Sequence, residues 1–367
     1  MYSFFGIPTT LELKKSDYKS ILQDELSPYK IDKKEATILI TDDWLSFDSK
    51  IISNNPSQHY YYKNSIHIKD KLTELAFVFD AENKLITIFF KLNYANSFTR
   101  RSIRKCLNMQ FTNRIENIGQ IFHENVLIPM TFFFEHLTPI HASGYSLNAK
   151  TVLLGGTGGT GKTTLEMEMC LQHHASFVTD DIAIVDNEGF VYPNYNNPKI
   201  YAYNLIGKPK LKKVIFKGKS FFNKLHWTLH KTVFGVSKAR RKINPFVLYE
   251  NVINDKEMLH TYHVLSKNNT DNIKKQKIEI KQAIQMSNSV IATEYNYFFN
   301  HLKWHEFNAV ANANMPIISI KILEKRWEIN LAKVLQNTEN TVVTIPIDIP
   351  HIDFKKQAVT LLLNTIS

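Results

Sequence analysis

The stretch 155-GGTGGTGKTT-164 constrains this chain more than any other. The whole sequence has 12 glycines in 367 residues, and five of them fall from Gly155 to Gly161. Glycine costs backbone entropy wherever its freedom is not needed. A cluster of this density therefore marks a place where bare backbone is required. Gly156, Thr157, Gly158, Gly159, Thr160, Gly161, Lys162 and Thr163 match the spacing G-x-x-x-x-G-K-[ST]. In such a loop, consecutive N–H groups form a nest for a polyphosphate, and the following helix presents its positive N-terminus. Lys162 is expected to reach the β- and γ-phosphates and Thr163 to offer its hydroxyl to Mg2+, with Thr164 completing the binding set. The flanks agree: TVLL (151–154) reads as a buried strand and TTLEMEMCLQHH (163–174) as a helix.

An aspartate pair follows closely. Asp180 and Asp181 stand 17 and 18 residues after Thr163, at the end of the short strand in SFVTDD. A helix of three turns covers roughly 16–18 Å, so the next strand can return its C-terminal end to the loop. One carboxylate can then hold Mg2+ while the other takes a proton from an attacking hydroxyl. The bland alternative is a turn or helix-cap cluster. Upstream, 140-IHASGYSLNAKTVLLGG-156 reads as two short strands about a turn at Asn148-Ala149-Lys150. That hairpin sets the loop-bearing strand antiparallel to the strand that starts near His141.

At these residues the chain resembles a known family. IHAS (140–143), the loop, TDD (179–181), 189-GFVYPNYNNPKIY-201 and 240-RRKINPFVLY-249 together look like the kinase core of HPr kinase/phosphorylase. They resemble still more the broad group of HPr-kinase-related proteins, which have a PEP-carboxykinase-like P-loop fold. The resemblance covers roughly residues 135–265. It implies ATP and Mg2+ as cofactors and transfer of the γ-phosphoryl group to a hydroxyl. Carried over by position, it makes Asp180 the catalytic base, Asp181 a metal partner beside Thr163, and His141 a neighbour of the transferred phosphate. Two departures limit it. Thr164 stands where HPr kinases have an acidic residue, with Glu166 the nearest acid, and the glycine- and isoleucine-rich signature associated with phosphorolysis has no counterpart here. The resemblance is therefore not carried over to the reverse reaction or to the small phosphocarrier protein as substrate, and both stay open.

The expected fold class is α/β, with a kinase core of mixed sheet over 138–367 preceded by a smaller α+β region over 1–137. In that first region ATILITDD (36–43), 59–69 and a hairpin about 81–83 alternate at strand period. Helices are expected over about 97–118 and 123–137, with a domain boundary near Pro139. Later come a helix near 297–311, a strand at 342–347 and a closing helix from about Phe354, while 267–277 reads as an exposed loop. Cys106 and Cys170 give no disulfide framework and suit a reducing cytosol. No signal-peptide pattern opens the chain, and the apolar run 126–134 is too short to span a bilayer. A cytoplasmic location is expected.

Charge adds a partner class. The net charge is +11, yet from Gly189 to Tyr249 there is no acid and there are 13 Lys and Arg. Such a block favours an anionic neighbour, so the phosphoryl acceptor is expected to be anionic or anion-bearing, and an acidic partner surface is expected to meet Lys199–Lys242. Nucleic acid is the weaker choice, because 97-SFTRRSIRKC-106 and Arg240-Arg241 lack an aromatic platform. Within the block, Phe222, Leu225, Leu229 and Val233 form an apolar stripe that is expected to face the core, with a membrane surface as the alternative. His226 and His230 have metal-ligand spacing but no acidic or cysteine partner nearby. The alternative function is a nucleotide-binding regulatory or ATPase module that recruits an anionic partner through the block. Nothing in the sequence fixes or excludes an oligomer.

Overall fold

The computed structural model describes residues 1–14, 16–32, 35–44, 51–54, 59–69, 73–80, 82, 84–92 and 114–366. The chain divides into two compact units. Met1–Asn96, Asn117–Glu135 and Ala292–Trp327 form one; Ser97–Glu116, His136–Ile291 and Glu328–Ser367 form the other. Both contain mixed sheets, and the architecture is α/β.

The first unit carries an eight-stranded sheet: β1 (Tyr2–Phe4), β2 (Ile7–Glu12), β3 (Ile38–Thr41), β4 (Ser53–Asn54), β5 (Tyr60–Tyr62), β6 (Ser65–Lys69), β7 (Thr73–Asp80) and β8 (Leu85–Leu92). Their order is β1-β2-β3-β8-β7-β6-β5-β4. β2, β3 and β8 run parallel, while β7 and β8 form the expected hairpin, paired from Thr73↔Leu92 to Asp80↔Leu85. Most of the helix expected over 97–118 lies outside the described residues. The described part starts at Arg114 and runs through a π-turn to Thr131. The second expected helix therefore stops six residues short of Leu137. The last turn tightens as Phe133 and Phe134 donate to Met130 and Thr131, and the Thr131 hydroxyl folds back onto the Ile128 carbonyl at 2.7 Å. Pro139 then sits in an edge strand, where a missing N–H is tolerated.

The second unit is built on nine strands: β9 (Leu137–Ile140), β10 (Ala142–Leu147), β11 (Lys150–Gly155), β12 (Ser176–Thr179), β13 (Ala183–Asp186), β14 (Phe190–Tyr192), β17 (Glu257–Asn268), β18 (Lys274–Lys277) and β19 (Glu339–Pro346). A separate pair, β15 (Lys199–Tyr201) and β16 (Arg240–Lys242), brackets an excursion of the chain. The main order is β12-β10-β11-β17-β14-β13-β9, with β19 beside β17 and β18 beside β19. β11, β17 and β19 are parallel neighbours, and the remaining pairs are antiparallel. Residues 274–277, expected in a loop, form an edge strand instead. Their lysine-rich sequence hides the strand period, and charged side chains suit an exposed edge.

Two cores lie on opposite faces of this sheet. Val152 and Leu154 pack on one side with Leu165, Met169, Phe354 and Leu362; Leu153 points to the other, with Val264, Ile284 and Leu335. Alternation with both faces covered is why TVLL reads as an unbroken apolar run. In the excursion, the helix Phe221–Phe234 departs from expectation. Phe222, Leu225, Leu229 and Val233 are exposed at 77, 43, 54 and 68%, whereas Trp227 and His230 are buried. Trp227 packs edge-on to Phe216 and with Ala202 and Ala239. The helix is thus held by a face about half a turn away from the stripe.

Candidate active site

The site begins with a tight hairpin. Asn148 and Ala149 both have positive φ, the requirement of a two-residue type I′ turn, and β10 pairs with β11 from Leu147↔Lys150 to Ala142↔Gly155. β11 then delivers the chain to the glycine loop. Gly156 has φ +127°, and a Cβ there would lie 2.4 Å from the Leu265 carbonyl oxygen, so neither the conformation nor the space admits another residue. Beside Gly158 and Gly159, by contrast, a Cβ would meet nothing within 4 Å, and both glycines line an open cavity. The Thr160 hydroxyl closes the loop onto the Thr157 carbonyl at 2.9 Å. Lys162 is folded into it, donating to the carbonyls of Gly156 and Thr157 at 2.8 and 2.9 Å.

The helix Lys162–Gln172 starts at this point, with Gly161 accepting from Leu165. The amides of its first turn have no partner inside the helix. They stand at the edge of a cavity of about 480 Å3 lined by His141, the loop from Gly158 to Thr164, Asp181, Tyr201, Tyr203 and Ser237, with Ile345, Ile349, His351 and Phe354 on its apolar side. That volume suits a small-molecule ligand.

The two aspartates differ in placement. Asp181 has φ +69°, a left-handed conformation that Asp tolerates better than most residues. Asp180 is 2% exposed and does not line the cavity; the Asp181 side chain is 24% exposed and does. Asp180 Oδ1 accepts hydrogen bonds from Ser143 Oγ at 2.7 Å and Thr163 Oγ1 at 2.8 Å, and its Oδ2 accepts from the Lys199 amide at 3.3 Å. Asp181 forms an ion pair with the Lys199 ammonium. Lys199 therefore touches both carboxylates, one through its backbone and one through its side chain.

Electrostatics follow from this arrangement. Burial, then the neighbouring Asp181 charge, pushes Asp180 above the usual carboxylate range against the pull of its hydroxyl donors. Burial alone would also raise Asp181, but the Lys199 ammonium, backed by Lys242, holds it below that range. His141 is lowered to about 4 by burial and by Lys162, so its imidazole is neutral near pH 7. Glu166, the nearest acid after the loop, is fully buried, accepts from the Tyr249 hydroxyl at 3.1 Å, and is raised well above its ordinary value by burial. Burial thus favours its neutral form, and from the core it does not replace the acid missing at Thr164.

Every residue singled out in the sequence from Gly156 to Thr164 falls at this one place, as do His141, Asp180 and Asp181. Ser143, Tyr201, Tyr203, Ser237, His351 and Phe354 were not anticipated. Tyr201 and Tyr203 stack at 5.3 Å, and Arg240 donates to the Tyr201 hydroxyl at 2.9 Å. The His226–His230 pair faces Arg241, whose guanidinium lies 2.9 Å from His226 Nδ1 and over the Trp227 ring. Among the described residues no group of three or more His, Cys, Asp or Glu could hold a metal ion, and no helix is long and apolar enough to cross a membrane.

No protein-family model matches the chain, and no curated protein matches it. Among solved structures, the chain is similar to the Hpr(Ser) kinase/phosphatase from Coxiella burnetii, at 10% identity over 62% of this chain and 96% of that one, with a TM-score of 0.23. A likeness at that level carries no assignment of residues.

Proposed function

We propose that this chain is an ATP- and Mg2+-dependent phosphotransferase on a PEP-carboxykinase-like P-loop core. Its reaction moves the γ-phosphoryl group to a hydroxyl of an anionic or anion-bearing acceptor. One observation carries this reading: Lys162, Thr163, His141 and Asp181 face a single cavity at the glycine loop, while Asp180 grips Thr163 from beneath.

The donor set fits Mg2+. Thr163 would present a hard oxygen to the cavity, Asp180 behind it would hold that hydroxyl, and Mg2+ is ordinarily held by few protein oxygens together with substrate phosphates rather than by an all-protein cage. Bound there, the ion would neutralise charge on the phosphates. Lys162 would exchange its loop carbonyls for phosphate oxygens. Asp181 would take the proton as the acceptor O–H bond breaks, the new O–P bond forms, and the bond from the γ-phosphorus to the bridging oxygen breaks to release ADP. The ion pair with Lys199 keeps Asp181 ionised but also weakens it as a base, so Lys199 would have to release the carboxylate for that step. This division is the reverse of the one implied by family resemblance, and two observations support it: Asp180 is buried against the Thr163 hydroxyl, and Asp181 lines the cavity.

The second reading, an ATPase or regulatory module, differs in where the phosphate goes. Extract fractions incubated with γ-labelled ATP should yield a labelled acceptor, and Lys162→Ala should abolish the labelling. Phosphate released only to water would favour the module. ATP binding and turnover unchanged in Lys162→Ala would remove the site altogether.

A further inference from the structure

Within the excursion between β15 and β16, the helix Phe221–Phe234 lies outside the cavity lining, yet it carries a concentrated surface feature. Phe221, Phe222, Leu225, Leu229 and Val233 on its long helix are 74, 77, 43, 54 and 68% exposed. At about 100° per residue these five positions fall within roughly 120° of the helix circumference. The opposite face holds Trp227 and His230, which fix the helix to the protein. Lys224 and Lys231 stand together on one flank of the apolar arc, and Lys217 and Lys238 lie just beyond the two ends of the helix; all four are exposed. No acid occurs anywhere from Gly189 to Tyr249.

We propose that this helix docks the protein on an anionic lipid surface, its apolar arc entering the headgroup boundary and its lysines meeting the lipid charge. An exposed apolar arc edged by lysines is the pattern of helices that lie in the interface plane, and contiguous exposed apolar surface marks an interaction site. Charge complementarity selects the occupant. A second copy in a two-fold pair would present the same patch to itself, setting lysine against lysine. Nucleic acid would satisfy the lysines, but Leu225, Leu229 and Val233 gain nothing from phosphates. Anionic lipid satisfies both parts. The helix sits between segments that border the cavity, with Tyr201 before it and Ser237 after it. The proposal does not depend on the phosphotransfer reading, because the helix residues lie outside the cavity.

The test is co-sedimentation of the full chain with vesicles of phosphatidylcholine alone and of equimolar phosphatidylcholine and phosphatidylglycerol. Binding to the anionic vesicles only, falling steeply with added salt, is expected. Phe222→Ser with Leu229→Ser should weaken it at least about tenfold, since each large apolar side chain contributes strongly to interfacial burial. Lys224→Glu with Lys231→Glu should do the same through charge. All four positions are exposed, and circular dichroism checks that the variants fold. Absence of binding to anionic vesicles overturns the proposal, as does binding that survives both double substitutions. Self-association abolished by the apolar substitutions, without vesicle binding, assigns the face to a second copy. Capture of a single-stranded RNA oligonucleotide, without vesicle binding, assigns the lysines to nucleic acid. Either result overturns the lipid proposal.

Discussion

The division of labour between the aspartates can be decided by two substitutions that keep side-chain shape. In Asp180→Asn, the carboxylate that accepts from Thr163 Oγ1 at 2.8 Å becomes neutral. A hydrogen bond to a charged group contributes about 1.5–3 kcal/mol, and each 1.4 kcal/mol is about a factor of ten in affinity. Losing that hold on Thr163 should therefore raise the Mg2+ concentration needed for half-maximal transfer by roughly ten- to a hundredfold, with the rate partly restored at saturating Mg2+. Asp181→Asn removes the proposed proton acceptor from the cavity. It should leave ATP affinity nearly unchanged and lower transfer by about 10²–10⁴-fold at every Mg2+ concentration. The assay is a Mg2+ titration of labelled-phosphate transfer under single-turnover conditions, with calorimetry for nucleotide binding. Full transfer in Asp181→Asn, together with a loss in Asp180→Asn that Mg2+ does not repair, would refute the reasoning and restore the assignment implied by family resemblance.

Three further outcomes are expected. Lys199→Met breaks an ion pair whose side chains are 20 and 24% exposed, so the cost at neutral pH should be about 1–3 kcal/mol, less than for a fully buried pair. Because Lys199 depresses Asp181, that stability is present above the unfolded carboxylate value of about 4 and is lost as pH falls through the lower folded value; denaturant midpoints of variant and wild type should converge on acidification. Glu166→Gln should act in the opposite sense: the folded state takes up a proton that the unfolded chain releases above about pH 4, so wild type loses up to about 1.4 kcal/mol per pH unit on alkalinisation, and the variant should not. Joint reversal of Lys212, Lys213 and Lys217 to Glu should leave ATP affinity almost unchanged by calorimetry while weakening engagement of the anionic partner at least about tenfold, an effect screened by salt.

The loop was legible because its constraint is local. The positive φ of Gly156 and the space it must leave are written into the residue type itself, and the hairpin before it follows from two turn residues. The return of Asp180 and Asp181 to the loop was likewise readable from the length of one helix. Which aspartate faces the cavity was not, because that depends on the left-handed turn at Asp181 and on the hydrogen bond from Ser143, whose partner the segment IHAS (140–143) does not reveal. His351 and Phe354 reach the cavity from about 190 residues beyond the loop, and no periodicity announces such a contact. The stripe on Phe221–Phe234 shows the same limit from another side. Helical period identifies an apolar face but not its partner, and Trp227 and His230, outside the stripe, took the inward position. In the fold, the grouping of Ala292–Trp327 with the N-terminal sheet depends on tertiary packing that the chain order conceals.

The acid-free block also separates into two populations of cations with different physics. Lys199 and Lys242 belong to the interior: one pairs with Asp181, and the other donates to the Asn196 side chain at 3.3 Å while 5% exposed. Lys208 is tied to Glu168 at 2.6 Å. Lys210, Lys212, Lys213, Lys217, Lys224, Lys231 and Lys238 are exposed. Salt screens exposed charges beyond about 8 Å at physiological ionic strength and affects buried pairs far less. Raising salt should therefore release whatever the outer lysines hold while leaving the Lys199 clamp on both aspartates intact. Composition alone merges these cations into one block of 13, but the seven exposed lysines face solvent, whereas Lys199 contacts both aspartates and Lys208 and Lys242 are held by Glu168 and Asn196. The proposed partner engagement and nucleotide turnover should thus separate as ionic strength is raised on the wild-type protein. If both decline together as salt rises, with the fold intact by circular dichroism, the outer lysines and the aspartates are not independent and this partition fails.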